Sequence, residues 1–340
     1  MKIFKYIAIA LMGAVTVFGL SLTPAVSQDK APIQKKLSAD EIPLYLQDLS
    51  VTIHAGRSQG SGVIKTRDGV NYILTAGHVV ESLRTTRSII DPKTGGSRTK
   101  IEFEDAKVVK EIYDDDGRSV GRVTMDAEVI RYSDADNGED LALLRLRKKN
   151  FVKSSVTFDS KGIVPVGTDL LHVGSLLGQL GSNSLTTGVV SQQGRVFRGV
   201  VYDQSTCAAF PGSSGGGIYR KSDGAYVGML VRGAGETFNL YVPMRRMKTW
   251  AERQGVQFIF DDSIAVPNEK VLRSSPIEDV AGEDRKEQGA KVNPASPPNP
   301  HGNVNEPNIQ FRLYVQPTTT NPTPSPIIPQ VKLGRFQAGW

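Results

Sequence analysis

Short runs of β-branched and aromatic residues recur along the chain from about Leu44 to Phe260, and Gly, Asp and Asn turns separate them. Clear examples are GSGVIK (60–65), NYILTA (71–76), DAEVIRY (126–132), DLALLRL (140–146), SLTTGVVS (184–191), FRGVVYD (197–203) and AYVGMLVR (225–232). The runs have the length of strands, and helical segments do not alternate with them. The pattern predicts an all-β protein, and roughly 220 residues of this kind are most simply housed as two small barrels.

One helical segment follows the strands. Pro243 precedes it, Gly255 follows it, and four apolar residues share one face at helical spacing. The four are Met244, Met247, Trp250 and Ala251. Proline at the start of a helix and glycine after its end are ordinary boundary signals. We expect this C-terminal helix to lie across the second barrel.

The N-terminal segment has the layout of an export signal. Two lysines precede a mostly apolar stretch at 7–22, and the small residues Ala25 and Ser27 follow it. Cleavage after Ser27 would leave residues 28–43 as a polar leader and place the protein outside the cytoplasm, in the periplasm or secreted. If the stretch stays uncleaved, it is long enough to attach the chain to a membrane.

The composition changes after Asp262. Twelve of the nineteen prolines lie at 263–340, among polar and charged residues. A segment with so little apolar surface cannot offset the entropy cost of ordering, so we predict a disordered Pro-rich tail. The predicted organisation is a signal peptide at 1–27, the leader at 28–43, a folded domain at 44–262 and the tail.

Charge and cysteine usage exclude several functions. The net charge of +6 is spread in mixed-sign stretches, and the densest basic run, RLRKK (145–149), lacks the interleaved aromatic residues of nucleic-acid platforms. We therefore expect no nucleic-acid partner. The one cysteine, Cys207, rules out an internal disulfide and is interpreted as a small buried hydrophobe. No His or Cys cluster indicates a metal site, and no cofactor is expected.

Three residues in the strand region carry candidate chemistry. His78 ends the apolar run YILTAGH (72–78), where an imidazole adds nothing to a buried strand. Asp140 begins the apolar run DLALLRL, where a buried carboxylate would need a donor. Ser214 lies in FPGSSGGGI (210–218), whose glycines let backbone N–H groups converge on an anion beside a hydroxyl. Each signal is weak alone, and their order makes them informative together.

In this order the three residues resemble the site of trypsin-like (chymotrypsin-fold) serine proteases, within the exported bacterial HtrA/Deg-type branch. The motifs that carry the resemblance are TAGHVV (75–80), DLALLRL (140–146), SLTTGVVSQQGR (184–195) and PGSSGGGI (211–218). The resemblance implies two six-stranded antiparallel β-barrels, at about 44–150 and about 160–262, and a serine endopeptidase with protein or peptide substrates. HtrA-type proteins usually carry a C-terminal PDZ domain, which we do not expect here, and the oligomeric state is left open.

The resemblance assigns each residue a role. Ser214 would be the nucleophile, His78 the general base and later acid, and Asp140 the group that fixes the imidazole tautomer. The backbone N–H groups of Gly212 and Ser214 would form the oxyanion hole. Ser213 stands where zymogen-activated relatives carry an aspartate, so activation through that ion pair is not expected.

The same resemblance locates the substrate pocket. Its floor would be Ala208, and the strand that carries Val231, Arg232 and Gly233 would pair with the substrate backbone. No carboxylate stands at this floor to bind a substrate Arg or Lys, so we predict cleavage after small or medium apolar residues. Arg232 is the side chain able to modify that preference.

Other interpretations compete with this one. GSSGG also fits the nucleophile elbow of α/β-hydrolases, but the one later histidine, His301, lies in the tail. A calcium loop at 134–140 fails because Gly138 stands where an oxygen ligand is required. Asp134 and Asp136 lie in a polar turn, a setting typical of solvated or capping carboxylates. A catalytically inactive double barrel that binds peptides or another partner remains the alternative.

Overall fold

The computed structural model describes residues 37–279, except residues 91, 94, 198 and 234–236. The predicted export signal, most of the leader and most of the tail lie outside the described residues. Within them, no helix combines the length and the apolar character that crossing a membrane requires.

Strands make up most of the described chain. They are β1 (Ser50–Ala55), β2 (Ser58–Arg67), β3 (Val70–Thr75), β4 (Arg84–Ile90), β5 (Ser97–Phe103), β6 (Ala106–Tyr113), β7 (Ser119–Ser133), β8 (Leu141–Leu146), β9 (Asp169–Leu176), β10 (Gly181–Phe197), β11 (Val200–Ser205), β12 (Gly217–Arg220), β13 (Tyr226–Gly233) and β14 (Asn239–Pro243). The helices are α1 (Glu41–Leu49), α2 (Gly77–Val80), α3 (Met244–Gln254) and α4 (Glu269–Ser274).

Twelve of these strands close two six-stranded antiparallel barrels. The first has the order β1-β2-β3-β8-β7-β6, and the second has the order β10-β11-β14-β13-β12-β9. Strands β4 and β5 pair with each other in a separate two-stranded sheet. The predicted all-β double barrel is therefore confirmed.

One hydrophobic cluster runs through both barrels. Strand β3 is buried on both faces, because one face lines its barrel and the other is covered by the rest of the molecule. On that strand the ring of Tyr72 packs edge to face on Phe258, with the ring centroids 5.3 Å apart. Full burial of an apolar side chain stabilises a fold by about 1.5–3 kcal/mol, so this cluster holds the two halves together.

Helix α3 follows the second barrel as the sequence predicts. Pro243 precedes it, and the left-handed Gly255 (φ 64°) ends it by donating to the carbonyls of Ala251 and Glu252. The four apolar residues of its predicted face are all buried, and the helix packs on β13 and β14.

Ordered structure extends past both predicted ends of the domain. Helix α1 begins inside the predicted leader, and Ile42, Leu46 and Leu49 bury its inner face. Helix α4 lies inside the predicted tail and buries Leu272. A few apolar residues at helical spacing supply enough burial to order these segments, although the composition around them is polar.

Candidate active site

His78 is carried by α2, a single helical turn that starts directly after β3. Ala76 is extended (φ −73°, ψ 146°), and the helix begins at Gly77. A Cβ at position 77 would lie 2.2 Å from the carbonyl oxygen of Ser133, so this position requires glycine. The glycine lets α2 pack against the end of β7, which fixes the place of the His78 side chain.

Asp140 ends the turn between β7 and β8. The Asp134 carboxylate accepts hydrogen bonds from the backbone N–H groups of Asp136 (2.9 Å) and Asn137 (2.7 Å), so it organises the turn. Asp140 is fully buried, and its backbone is left-handed with a φ of 55°. This conformation is uncommon outside glycine and persists where the surroundings impose it.

The side chains of His78 and Asp140 contact each other. His78 Nδ1 lies 3.0 Å from Asp140 Oδ1 and 3.1 Å from Oδ2, and the backbone N–H of His78 donates to Oδ1 at 3.0 Å. Burial acts to raise the pKa of Asp140, but attraction to His78 and the hydrogen bonds from it lower that pKa overall. Burial acts to lower the pKa of His78, and the carboxylate reverses this and raises it. The carboxylate favours a proton on Nδ1 and leaves Nε2 free to accept one.

A cation from the second barrel faces this pair. Arg232 on β13 places Nη2 3.9 Å from Asp140 Oδ2 and donates to the carbonyl of Ala135 at 2.7 Å. Its side chain is only 9% exposed, and its guanidinium lies over the ring of Phe197. The sequence places Arg232 beside the substrate pocket, whereas in the structure its guanidinium lies against the Asp140 turn.

Ser214 lies in the glycine-rich loop between β11 and β12. The N–H groups of Ser213 and Gly215 donate to backbone carbonyls at 2.9 and 2.8 Å. By contrast, the N–H groups of Gly212 and Ser214 have no acceptor within residues 37–279 as described. The two amides that the resemblance names for an oxyanion hole are thus available to an outside acceptor.

The peptide group before Gly212 is held in one orientation. The carbonyl of Pro211 accepts a hydrogen bond from the N–H of Leu177 at 2.7 Å. Because a trans peptide directs its C=O and N–H to opposite sides, the N–H of Gly212 points away from Leu177. Gly212 has a φ of 95°, and a Cβ on it would lie 2.3 Å from the carbonyl oxygen of Ser175.

The two barrels meet at this loop. The N–H of Ser61 on β2 donates to the carbonyl of Ser214 at 2.7 Å. A Cβ on Gly215 would lie 3.0 Å from the backbone nitrogen of Ala76, two residues before His78. The loop that carries Ser214 therefore lies against the end of the strand that presents His78.

The hydroxyl of Ser214 is turned toward its own barrel. Ser214 Oγ donates to the carbonyl of Val231 across 3.5 Å, a long hydrogen bond. Among the described residues Ser214 Oγ makes no hydrogen bond to His78, whose ring contacts Asp140. The structure thus brings His78 and Asp140 into contact and places the Ser214 loop beside them without a direct bond.

Comparison with known families decides the identity of the fold. The model of the trypsin-like peptidase domain matches residues 60–229, half of the chain, and this range includes His78, Asp140 and Ser214. The chain belongs to the trypsin-like peptidase family. This trypsin-like peptidase is accordingly a serine-type endopeptidase.

Solved structures similar to this trypsin-like peptidase include HtrA-type proteases. The serine endoprotease from Yersinia pestis is 18% identical over 65% of this chain and 67% of that chain, with a TM-score of 0.46. The HtrA-type protease AlgW with a tripeptide is 20% identical over 67% of this chain and 65% of that chain, with a TM-score of 0.45. This peptidase thus spans about two thirds of the length of these structures. No curated protein matches it.

Of the predicted pocket residues of the trypsin-like peptidase, Gly233 at the end of β13 lies beside Ala209, which follows Ala208 in the chain. The carbonyl of Ala208 accepts from Thr186 Oγ1 at 2.9 Å. A Cβ on Gly233 would lie 3.6 Å from the Cβ of Ala209 and 2.3 Å from Asn239 Oδ1. Asn239 is fully buried and was not among the residues predicted from the sequence. An asparagine at the start of a strand does not by itself indicate a pocket.

Ser61 is a second residue that the sequence does not reveal. Its hydroxyl donates to the carbonyl of Gly212 at 2.6 Å and accepts from the N–H of Ser175 at 2.7 Å. Ser61 thereby ties β2 of the first barrel to the loop and to β9 of the second. The only signal was a serine between two glycines in GSGVIK, which predicts a strand and nothing more.

The other two described histidines, His54 and His172, have structural contacts. His172 is fully buried, and its Nδ1 lies 3.0 Å from the carbonyl oxygen of Gly217. Burial lowers the pKa of His172 to about 4. His54 Nε2 lies 3.1 Å from Gln179 Oε1. Among the described residues no three His, Cys, Asp or Glu side chains are grouped as metal ligands would be.

Proposed function

We propose that this peptidase cleaves peptide bonds through an acyl-enzyme on Ser214, with His78 as general base and acid and Asp140 as its orienting partner. The observation that carries the proposal is the buried Asp140 carboxylate, which binds His78 at both Nδ1 and the backbone N–H. A base oriented in this way beside a glycine-rich serine loop is the arrangement that acyl transfer needs.

The first half of the reaction forms the acyl-enzyme. A rotation about the Cα–Cβ bond of Ser214 turns its hydroxyl from Val231 toward His78, whose Nε2 takes the proton while Oγ attacks the substrate carbonyl carbon. The carbonyl oxygen becomes an oxyanion that accepts hydrogen bonds from the N–H groups of Gly212 and Ser214. The protonated His78 gives its proton to the leaving amine as the C–N bond breaks.

The second half releases the acid. His78 takes a proton from a water molecule, and the resulting hydroxide attacks the ester carbonyl on Ser214. The same two amides bind the new oxyanion, and the proton returns from His78 to Ser214 Oγ as the C–O bond to the enzyme breaks. The enzyme is restored, and Asp140 stabilises the imidazolium twice in each cycle.

A fluorophosphonate probe tests the proposal. We expect the folded wild type to be labelled on the peptide that contains Ser214, with labelling abolished in Ser214→Ala and reduced by several orders of magnitude in His78→Ala. Ser213→Ala is the matched control, because it removes the adjacent hydroxyl and leaves the nucleophile. Absence of labelling in folded wild type would favour a peptide-binding module without activity.

The preference for small or medium apolar residues before the cleaved bond belongs to the same proposal. Ala208, Ala209 and Gly233 carry no charge, and Asn239, which lies next to Gly233, adds an amide and no carboxylate. We expect a peptide library to be cleaved mainly after residues such as Ala and Val, and Gly233→Ala to shift the preference to smaller ones. A dominant preference for Arg or Lys would contradict it.

We also propose that the peptidase acts outside the cytoplasm. The support is the sequence alone, with its lysines, apolar stretch and small residues before the predicted cleavage after Ser27. Mass spectrometry of the protein from fractionated cells is expected to find a mature N-terminus near Gln28 in the extracytoplasmic fraction. An intact Met1 in a membrane fraction would indicate an uncleaved anchor instead.

A further inference from the structure

The chain segment 277–279, which follows α4, adds to the edge of β7. The N–H of Tyr132 donates to the carbonyl of Ile277 at 2.8 Å, and the N–H of Asp279 donates to the carbonyl of Tyr132 at 2.9 Å. The pairing is parallel and centred on Tyr132 and Glu278. We call residues 277–279 the strap.

The strap covers an edge that the first barrel leaves open. Strand β7 runs from Ser119 to Ser133, but its neighbour β6 pairs with it only as far as Ala127. The last residues of β7 are therefore paired with β8 on one side, and on the other side the strap pairs with Tyr132. This end of β7 leads directly into the turn that presents Asp140.

The Asp279 side chain reaches into that turn. It is 1% exposed and accepts from Ser133 Oγ at 3.0 Å, Arg253 Nη2 at 3.2 Å and Gln254 Nε2 at 3.1 Å. Ser133 Oγ in turn accepts from the N–H of Glu139 at 2.8 Å, one residue before Asp140. Asp279 is thus joined to the backbone beside the site carboxylate through a single hydroxyl.

A second link between the strap and the turn is made of ion pairs. The Glu139 side chain is 6% exposed and pairs with Arg246 Nη2 at 2.5 Å and with Arg253 Nη2 at 3.0 Å. Arg253 also binds Asp279, so helix α3, the strap and the turn share one cation. The attraction in such a largely buried ion pair is offset by the cost of desolvation, so the network is weak evidence for stability.

Asp140 needs such support. Its left-handed backbone is an uncommon conformation for a non-glycine residue, and it orients the carboxylate that His78 binds. The turn is held from inside by the carbonyl of Asp134, which accepts from the N–H groups of Gly138 (2.9 Å) and Asp140 (3.2 Å). The strap holds it from outside, through Ser133 and Glu139.

We propose that the strap positions Asp140 for catalysis and that Asp279 is its positioning residue. The inference rests on the proposed function of the His78–Asp140 pair. It assigns a role in the reaction to residues beyond the predicted protease domain and makes activity depend on the chain that follows α3.

The full-length Asp279→Asn variant tests it. The amide keeps the size of the carboxylate but offers N–H groups toward Arg253 and Gln254, which are themselves donors. The strap therefore loses hydrogen bonds that hold it in place. We expect kcat on a peptide substrate to fall about tenfold with KM nearly unchanged, because the Asp140 carboxylate no longer holds the base in one place. A role limited to folding would lower the melting temperature and leave kcat per folded molecule unchanged.

The acid limb of the pH profile gives a second readout. His78 faces Asp140, Arg232 and Glu81, and of these Asp140 does most to raise its pKa. A loosened Asp140 raises it less, so the acid limb of kcat/KM is expected to move to lower pH in Asp279→Asn. Rescue by Asp279→Glu would confirm that a carboxylate is required.

Two further variants complete the test. Glu278→Gln is the control on the same segment, because Glu278 pairs with Arg84 at the surface, and kcat should stay within about twofold. Ser133→Ala removes the hydroxyl that connects Asp279 to Glu139 and leaves the residues of the strap unchanged, and its effect should not add to that of Asp279→Asn. If the wild type is labelled by the fluorophosphonate and both Asp279→Asn and Ser133→Ala keep the wild-type kcat and pH profile, the strap proposal is overturned and the proposed function stands. If the folded wild type is never labelled, both fall.

Discussion

The first barrel supplies the candidate site with side chains that bind each other, whereas the second supplies a loop whose backbone is held in place. His78 and Asp140 make three contacts of 3.0–3.1 Å around a carboxylate that is closed to solvent. The Ser214 hydroxyl makes one contact of 3.5 Å, but the peptide groups around it are fixed by hydrogen bonds. The proposed base is thus oriented by hydrogen bonds to a carboxylate, and the proposed oxyanion-hole amides are oriented by backbone geometry.

This difference implies that substitutions in the two barrels should lower activity in different ways. A substitution in the first barrel should act by exchanging a functional group without changing shape. A substitution in the second should act by adding atoms where the backbone leaves no room. Ser61 lies between the two modes, because its hydroxyl and its N–H both cross to the loop.

Asp140→Asn is expected to have the largest effect. The amide has nearly the shape of the carboxylate but can donate toward Nδ1, which favours the tautomer with its proton on Nε2 and so removes the proton acceptor. We expect kcat/KM to fall by about 10⁴-fold with little loss of stability. Steady-state kinetics and thermal unfolding of the purified variant measure both.

Asp136→Asn is the control for that variant. Asp136 lies in the same turn, is exposed, and contributes its backbone N–H to the Asp134 carboxylate. Its activity should stay within about twofold of the wild type, since Asp136 is exposed at the surface of the turn. Similar losses in both variants would mean that the turn as a whole is sensitive and that the Asp140 carboxylate has no special role.

Gly212→Ala should have the next largest effect. The added Cβ would lie 2.3 Å from Ser175 O and 2.6 Å from Gly178 N, both backbone atoms, so the loop must shift. The N–H of residue 212 then no longer points at the position proposed for the oxyanion, and we expect kcat to fall by about 10²–10³-fold. Kinetics on the folded variant and its fluorophosphonate labelling rate report this loss.

Gly194→Ala tests whether backbone strain alone, without a steric contact, lowers activity. Gly194 also has a left-handed backbone, with a φ of 64°, but a Cβ there would meet nothing within 4 Å. The strain costs roughly 1 kcal/mol of stability and should leave kcat unchanged. A comparable loss of kcat in Gly194→Ala would show that general strain, and not the position of the amide, explains the Gly212 result.

The features that the sequence predicts are those that follow from local patterns of residues. Alternating apolar runs predict strands, and Pro243 with Gly255 predicts the bounds of α3. His78 and Asp140 stand out because each interrupts an apolar run with a group that burial would penalise, and the structure has them in contact. Their catalytic roles, and that of Ser214, stay predictions until the variants are measured.

The features that the sequence does not predict depend on contacts between distant positions. Ser61 and Gly212 are 151 residues apart, and nothing near either one indicates the other. The strap joins Asp279 to Ser133 across 146 residues, through a region whose proline content predicts disorder. Composition averages over such a segment and misses the few residues that pair with a strand edge.

His172 extends the comparison to stability. It is buried in the second barrel beneath the glycines that follow Ser214, and burial lowers its pKa to about 4 from an ordinary value of 6.5. As the pH falls below 6.5, His172 binds a proton in the unfolded chain but stays neutral in the folded protein. Stability is therefore lost until the pH reaches about 4. The loss amounts to about 3 kcal/mol.

Denaturant unfolding between pH 7 and pH 4 measures this loss. His172→Gln has a neutral side chain throughout, so the difference in unfolding free energy between wild type and variant should shrink or change sign as the pH falls. A difference that stays constant from pH 7 to pH 4 would show that His172 titrates alike in both states.

Arg232→Gln should have the smallest effect, and its direction is informative. The buried guanidinium lies 3.9 Å from Asp140 Oδ2 and acts to lower the pKa of His78, while Asp140 and Glu81 act to raise it. Removing the cation should therefore move the acid limb of kcat/KM to higher pH, with the plateau nearly unchanged. This direction is opposite to the one expected for Asp279→Asn, because one variant removes a cation near the pair and the other loosens its carboxylate. A shift to lower pH in Arg232→Gln would mean that the arginine acts mainly by holding Asp140 in place, as the strap is proposed to do.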